Sequence, residues 1–443
     1  MGTVTEMRET QRTLDLALRV GEMLLSNGAG AADVTATMSS VAHHLGLRST
    51  LVDVTFTTLT LSHQASADEP PITVRRHVTH RETDFADLTA VDRIVTQLLT
   101  DEIGRDEAAT KIAQITSSGH PRPRWAITLA WGFTAAGIAL LLGGDWSVLL
   151  VAAVAGIGIE VLQRRIGRLR LPMFYSQAAG GLLATVLAVG LSALQVPIEP
   201  SRAVAASIVM LLAGQGLVGA IQDALTGFYI TANARVLEVM IATAGIIVGV
   251  SMGLAVGSML GVEVQVDVAL PGLSQAPSVI AGAAICAAGF AFTAYSPLRT
   301  VVPLGVIGGT SAGVYFLLAN HGVGNATAAA LAAVLIGLVS YPIAGRVRVP
   351  PLVLIVSGIV PLLPGLSIYR SLALLSQEDI TGILSMITAA SSAIGLAAGA
   401  ILGEYIAQPL RREARRLEQR LAGPRLVGPL RVRSVRRRGK DRD

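Results

Sequence analysis

Residues 222–238, QDALTGFYITANARVLE, carry Asp223, Arg235 and Glu238 between two apolar runs, 203–221 and 237–260. A charge at bilayer depth costs about 2.5–3.5 kcal/mol even on the lenient insertion scale, so three at one junction mark a polar path or an exit from lipid. Thr226, Tyr229, Thr231 and Asn233 add hydrogen-bonding groups unusual between two apolar helices. Arg235 and Glu238, three apart, can pair on one helix face. Two readings stand side by side: a loop whose charges cap helices and pair with one another, or a gate or binding loop whose carboxylate changes protonation as ions move.

Outward from this junction the chain is 52% hydrophobic and 15% charged over 443 residues, the composition of a polytopic α-helical membrane protein. Ten spans can be drawn, at 125–143, 146–163, 173–194, 203–221, 237–260, 278–295, 301–319, 326–344, 351–375 and 380–408. The last two are long enough to be tilted, broken or to project from the bilayer. Small-residue ladders such as Gly245, Gly249, Gly253 and Gly395, Gly399, Gly403 mark close helix packing. The single cysteine, Cys286, excludes an intrachain disulfide and a cysteine-based metal site. The first residues are polar and acidic where a signal peptide needs a basic start and an apolar stretch, so insertion is expected to begin at an internal helix.

Charge divides the chain into parts. Residues 1–120 hold 10 Lys/Arg against 16 Asp/Glu, and residues 411–443 hold 13 against 4. The expected domains are a small cytosolic α+β domain (1–120), two five-helix membrane halves (121–275 and 276–410) and a basic tail (411–443). With the N-terminal domain inside, one side receives Arg122, Arg124, Arg164, Arg165, Arg168, Arg170, Arg299, Arg346 and Arg348. The other receives Asp145, Glu199, Glu263, Asp267, Glu378 and Asp379, with Arg202 the clear cation there. Both termini are therefore expected on the cytoplasmic side of a multi-pass protein.

Five spans per half invert the second half relative to the first, the inverted-repeat plan of many secondary transporters. GLVGAIQDALTG in span four and GIVPLLPGLSIY in span nine occupy corresponding places, while RLRLPMFYSQAAG against RVRVPPLVLIVSG suggests another register. In Pro361-Leu362-Leu363-Pro364-Gly365 two prolines remove backbone donors within a span. Irregular backbone at that depth belongs in a protein interior or beside a water-filled cavity, with Tyr369 and Arg370 just beyond the break able to meet a polar substrate. A simple kink is the plainer alternative. Glu160, Gln177 and Glu404 are further polar groups near span ends or interiors, each read as interfacial.

In the N-terminal domain the pattern predicts helices over 5–26, 31–45, 85–99 and 106–115, and a two-stranded hairpin from 51–61 and 72–78. His43, His44, His63, His77 and His80 fall in no strong ligand-spacing motif, so no metal and no cofactor are expected. Ser26 beside Gly28 and Gly30 does not form the Gly-x-Ser-x-Gly elbow of a hydrolase. The tail arginines are expected against anionic lipid, at about 1 kcal/mol each near the surface. No aromatic or fold signal points to nucleic acid.

Four stretches carry a resemblance: LLSNGAGAADVTATMSSVAHHLGL (24–47), TVRRHVTHR (73–81), DALTGFYITANARVLEVMIATAGIIVGV (223–250) and IVPLLPGLSIYRSL (359–372). Over about 14–408 the chain resembles the threonine/serine exporter family of bacterial inner-membrane transporters. The resemblance implies a cytosolic N-terminal domain, ten helices, and export of threonine and serine driven by the proton motive force, with no enzymatic activity. It carries Asp223, Gly227, Arg235 and Glu238 over to the first membrane motif, and Pro361, Pro364 and Gly365 to the second. Split relatives, one chain like 1–260 and one like 278–408, imply dicarboxylates as the alternative substrate. A third reading makes residues 1–120 a membrane-tethered hydrolase or sensor, for which the sequence offers no nucleophile and base. The oligomeric state stays open.

Overall fold

The computed structural model describes residues 2–78, 81–117, 119, 122–211, 214–262, 271–376 and 379–421. His80, Glu263, Asp267, Glu378 and the basic tail from 422 onward lie outside the described residues.

The N-terminal domain opens with α1 (Gly2–Ser26) and α2 (Ala31–His44), continues through β1 (Thr50–Val54), β2 (Thr58–His63) and β3 (Ile72–His77), and closes with α3 (Phe85–Leu99) and α4 (Arg105–Ser117). Helix α1 buries Leu14, Ala17, Leu18 and Leu25 on one face, the spacing that seats an amphipathic helix on a sheet. Asp84 starts α3 by accepting the N–H groups of Ala86 and Asp87 at 2.8 and 2.9 Å. The sheet is antiparallel in the order β1-β2-β3, one strand more than the hairpin expected. The run 51–61 is two strands, because Val54 pairs with Leu59 and the Thr55 N–H bonds Thr58 O at 2.9 Å, closing a tight turn over Phe56 and Thr57. Nothing in that turn carries the Gly or Asn signal by which hairpins are read.

The membrane part comprises α5 (Arg124–Leu141), α6 (Trp146–Gly167), α7 (Met173–Ala193), α8 (Pro200–Val209), α9 (Gly214–Leu225) and α10 (Tyr229–Met259). It continues with α11 (Ala276–Thr293), α12 (Leu298–Asn320), α13 (Asn325–Val347), α14 (Pro351–Ile359), α15 (Gly365–Ser376) and α16 (Thr381–Leu421). Among the described residues eight helices are long and apolar enough to cross a bilayer, and nine if α8 and α9, bent by 44°, are counted together as one span. The ninth span of the sequence, 351–375, is instead a short apolar helix, a 3-10 turn at Val360–Leu362 and α15, with Pro361 and Pro364 at the break. Within the stretch that the sequence allows as a loop, 224–234 is mostly helix. A turn at Thr226-Gly227-Phe228 separates α9 from α10, and Gly227 takes φ +94°, a value side chains disfavour.

Two helix pairs pack most intimately, α7 on α10 and α13 on α16. Each relies on a glycine ladder: a Cβ on Gly249 would overlap the Ala178 carbonyl, and one on Gly399 would overlap that of Ala330. Helices α5 and α11 cross at Gly137 and Gly282, where a Cβ on the latter would stand 2.7 Å from Gly137 O.

One hydrophobic core runs without interruption from the N-terminal domain into the membrane helices, joining Phe85 and Leu88 to Val218, Phe290 and Ile355. The Phe85 N–H donates to Ala294 O at 2.8 Å, and its ring meets Phe290 edge-on at 6.1 Å. Thr231 at the start of α10 reaches Val54 O at 3.5 Å. The domain is thus seated on the ends of α9, α10 and α11.

Candidate functional site

Asp223 lies in the last turn of α9 and is 1% exposed. Its Oδ1 accepts the N–H of Ala31 at 3.0 Å, across 192 residues of sequence. Ala31 is the first residue of α2, and the residue before it, Gly30, has no side chain to cap the helix. The carboxylate of the membrane part therefore meets the positive end of a helix in the N-terminal domain.

The other oxygen, Oδ2, stands 3.2 Å from Arg235 Nε, an ion pair in which Arg235 is 12% exposed. No aligned hydrogen bond reaches Oδ2 among the described residues, so the contact is one of charge alone. Arg235 reaches Asp223 by lying across Gly219, where a Cβ would come within 2.6 Å of Nη1. The pairing of Arg235 with Glu238 expected from their spacing is absent among the described residues; the turn at 226–228 folds α10 back so that Arg235 faces α9 instead.

Around this contact opens a cavity of about 590 Å³ between the N-terminal domain and the ends of α9, α10, α13, α14 and α16. Six carboxylates line it, Asp33, Glu82, Asp92, Asp223, Glu238 and Glu404, against two guanidinium groups, Arg81 and Arg235. Asp33 faces the cavity but is ringed by protein, and burial, reinforced by the charge of Asp223, raises its pKa above the usual carboxylate value. Burial, together with the nearby positive charge of Arg235, pushes Arg81 down to about 10, still protonated at neutral pH. The far end of the cavity reaches Ile359 and Leu363 at the break before α15. Leu363 packs against Gly214 at the start of α9, so the two interrupted segments meet at the cavity floor.

Of the residues singled out in the sequence, Asp223, Arg235 and Glu238 line the cavity, whereas Asn233 is exposed on α10 and does not. Pro361, Pro364 and Gly365 shape the break without lining the cavity, and Pro361 packs near Gly308 of α12. Arg370 is half-buried on α15 and does not line it; Tyr369 lies on the same helix, its side chain outside the described residues. Asp33, Arg81 and Glu404 join the site from places that sequence spacing does not connect to 222–238. Asp33 and Arg81 do lie in 24–47 and 73–81, two of the four stretches that carry the resemblance, and that is the signal the sequence offers. Glu160, read as interfacial, pairs locally with Arg164 at 2.8 Å. No group of three or more His, Cys, Asp or Glu side chains among the described residues is arranged to hold a metal ion.

Residues 15–257 and 279–406 match two family models, both described as threonine/serine exporter. The chain is 36% identical over 426 residues to a protein of Mycobacterium tuberculosis named "Probable threonine/serine exporter", covering 94% of this chain and 80% of that one. It is 32% identical over 421 residues to the "Threonine/serine exporter" of Corynebacterium glutamicum, covering 93% and 86%. A "Probable succinate transporter subunit" of Escherichia coli is 25% identical over 257 residues, which is 57% of this chain and 98% of that one. No solved structure matches the chain. A polytopic helical protein, matched along nearly its whole length by both family models and by two named exporters, this chain belongs to the threonine/serine exporter family of membrane transporters, not to the enzymes.

Proposed function

We propose that the protein exports threonine and serine across the cytoplasmic membrane, coupled to the proton motive force, and that the cavity at Asp223 is its substrate site. The observation that carries this reading is the charge of the cavity, six carboxylates against two arginines, one of which Asp223 already holds. An ammonium group is welcome there, and a zwitterion needs one cationic partner besides. A dicarboxylate such as succinate brings no cation to a cavity with more carboxylates than arginines, which favours the amino acid over the organic acid.

Asp223 is the proton carrier in this scheme. It is buried, its Oδ2 lacks an aligned donor, and its two partners, the Ala31 N–H and Arg235, come from different elements, α2 and α10. The ten-span, five-plus-five inverted arrangement, with 1–120, 121–275, 276–410 and 411–443 as its parts, is supported by the paired features of the two halves. Each half has a broken fourth segment, α8–α9 or α14–α15, and a glycine-laddered packing of its third helix on its fifth. Loop charge supports cytoplasmic termini.

The test is efflux of radiolabelled threonine from cells preloaded with a threonine dipeptide, with and without an uncoupler. Wild-type efflux is expected to be uncoupler-sensitive and to vanish in Asp223→Asn with expression preserved. Normal, still proton-coupled efflux by the mutant removes Asp223 from the mechanism, and absence of wild-type efflux makes organic acids the next candidates.

A further inference from the structure

Two guanidinium groups face the cavity, and they differ in what they have left to give. Arg235 is held by Asp223 at 3.2 Å. Arg81 pairs with no carboxylate among the described residues, although it lines a cavity rich in them. Its Nη2 donates to Phe56 O, and its Cζ lies 3.7 Å over the Phe56 ring, so the side chain is fixed from behind by the β1–β2 turn. A guanidinium has five N–H donors in a planar fork, which leaves donors for a bidentate partner such as a carboxylate. Gly28, Ala29 and Gly30 line the same cavity, and a Cβ on Gly30 would meet nothing closer than Asp223 Oδ1 at 3.7 Å, so this stretch leaves room for a ligand. Asp33 and Glu404 line the same cavity, and Asp33 and Asp223 converge on Gly30, where a Cβ would stand 3.9 Å from Asp33 Oδ2 and 3.7 Å from Asp223 Oδ1.

We infer that Arg81 binds the carboxylate of the transported amino acid while Asp33 and Glu404 receive its ammonium, so that the N-terminal domain supplies half of the substrate site. The inference rests on the reading of this cavity as an amino-acid site. It assigns specificity to a residue outside the membrane helices. The two arginines then divide their work: Arg235 holds the proton-carrying carboxylate, and Arg81 reads the substrate.

The experiment compares threonine with threoninol, in which a hydroxymethyl group replaces the carboxylate and the ammonium and side-chain hydroxyl remain. Both are titrated calorimetrically into the full-length protein in lipid nanodiscs at pH 7. Wild type is expected to prefer threonine by roughly 10- to 100-fold, the range of a charge-assisted pair. Arg81→Gln should lose that preference by weakening threonine alone, while threoninol, a cation, keeps its affinity or gains some from the lost positive charge. Equal weakening of both ligands means that Arg81 only props the turn at Phe56, and that overturns the inference, as does an intact preference in the variant. If Arg81→Gln does not fold, Arg81→Lys keeps the cation without the fork and should show a preference several-fold below wild type; an unchanged ratio there overturns it too. Wild-type protein that binds neither ligand overturns the amino-acid reading itself and this inference with it, a result distinct from failure of the Arg81 assignment alone.

Discussion

Asp223→Ala removes two contacts at once, and only one of them crosses between the domain and the membrane helices. The Asp223–Arg235 pair joins α9 to α10, both in the membrane part, whereas the Ala31–Asp223 bond joins α2 to α9. A hydrogen bond to a charged acceptor contributes about 1.5–3 kcal/mol, and Asp223 is too buried for solvent to screen it. If the domain docks partly through that bond, the Ala31 amide should exchange with deuterium roughly 10- to 150-fold faster in Asp223→Ala. Arg235→Ala leaves the Ala31 donor and its acceptor oxygen in place, so exchange at Ala31 should rise less than in Asp223→Ala, the remainder being the coupling of two contacts that share one carboxylate. The same variant strands Asp223 without its cation, and breaking a buried pair costs about 3–5 kcal/mol, so its melting temperature should fall even though Ala31 stays better protected than in Asp223→Ala. Hydrogen exchange resolved to single amides in the nanodisc-held protein reads both effects. The reasoning is refuted if Ala31 exchanges at the wild-type rate in Asp223→Ala, or if Arg235→Ala deprotects it as strongly.

Gly219→Leu places a side chain where Arg235 Nη1 now lies, and the displaced guanidinium should cost about 1–3 kcal/mol in thermal stability while reproducing the transport defect of Arg235→Ala. Asp33→Asn tests the pH dependence. Because burial raises the Asp33 pKa in the folded protein above 3.8, its ionised form is a burden that grows as pH rises from 3.8 through the raised value. The variant should therefore melt higher than wild type at neutral pH, with the gain fading as pH falls toward 3.8, and bind threonine more weakly throughout. Gly249→Val and Gly399→Val force α7 from α10 and α13 from α16, since the obstacle in each case is a backbone carbonyl, and detergent-extracted protein should lose its monodisperse peak in size-exclusion chromatography.

The membrane helices are legible in the sequence because lipid imposes a composition on every residue of a span. The break at Pro361 and Pro364 is legible for a similarly local reason, the missing N–H groups of proline. The bend between Val209 and Gly214 is not, since no proline marks it and Gly214, Gly216 and Gly219 are of the kind that also serve close helix packing. Asp223 and Arg235 stand out as charges in apolar surroundings, yet their partners do not follow from spacing. Arg235 points to Glu238 on a helical count and finds Asp223 across the turn at Gly227. Asp33 and Arg81 sit in a polar domain where charges are ordinary, so their part in the cavity emerges only when the domain is seated on the helices.

The Ala31–Asp223 bond also sets an order of events in the making of the protein. Helix α2 leaves the ribosome 192 residues before its partner. At about 5–20 residues per second the delay is roughly 10–40 s. During that interval the newborn domain carries a helix end without its anion, and the apolar face around Phe85 without Phe290. Translation speed and chaperone cover over that window therefore bear on the yield of intact transporter, and slowing the ribosome before codon 223 should lengthen the exposure without altering one residue of the product.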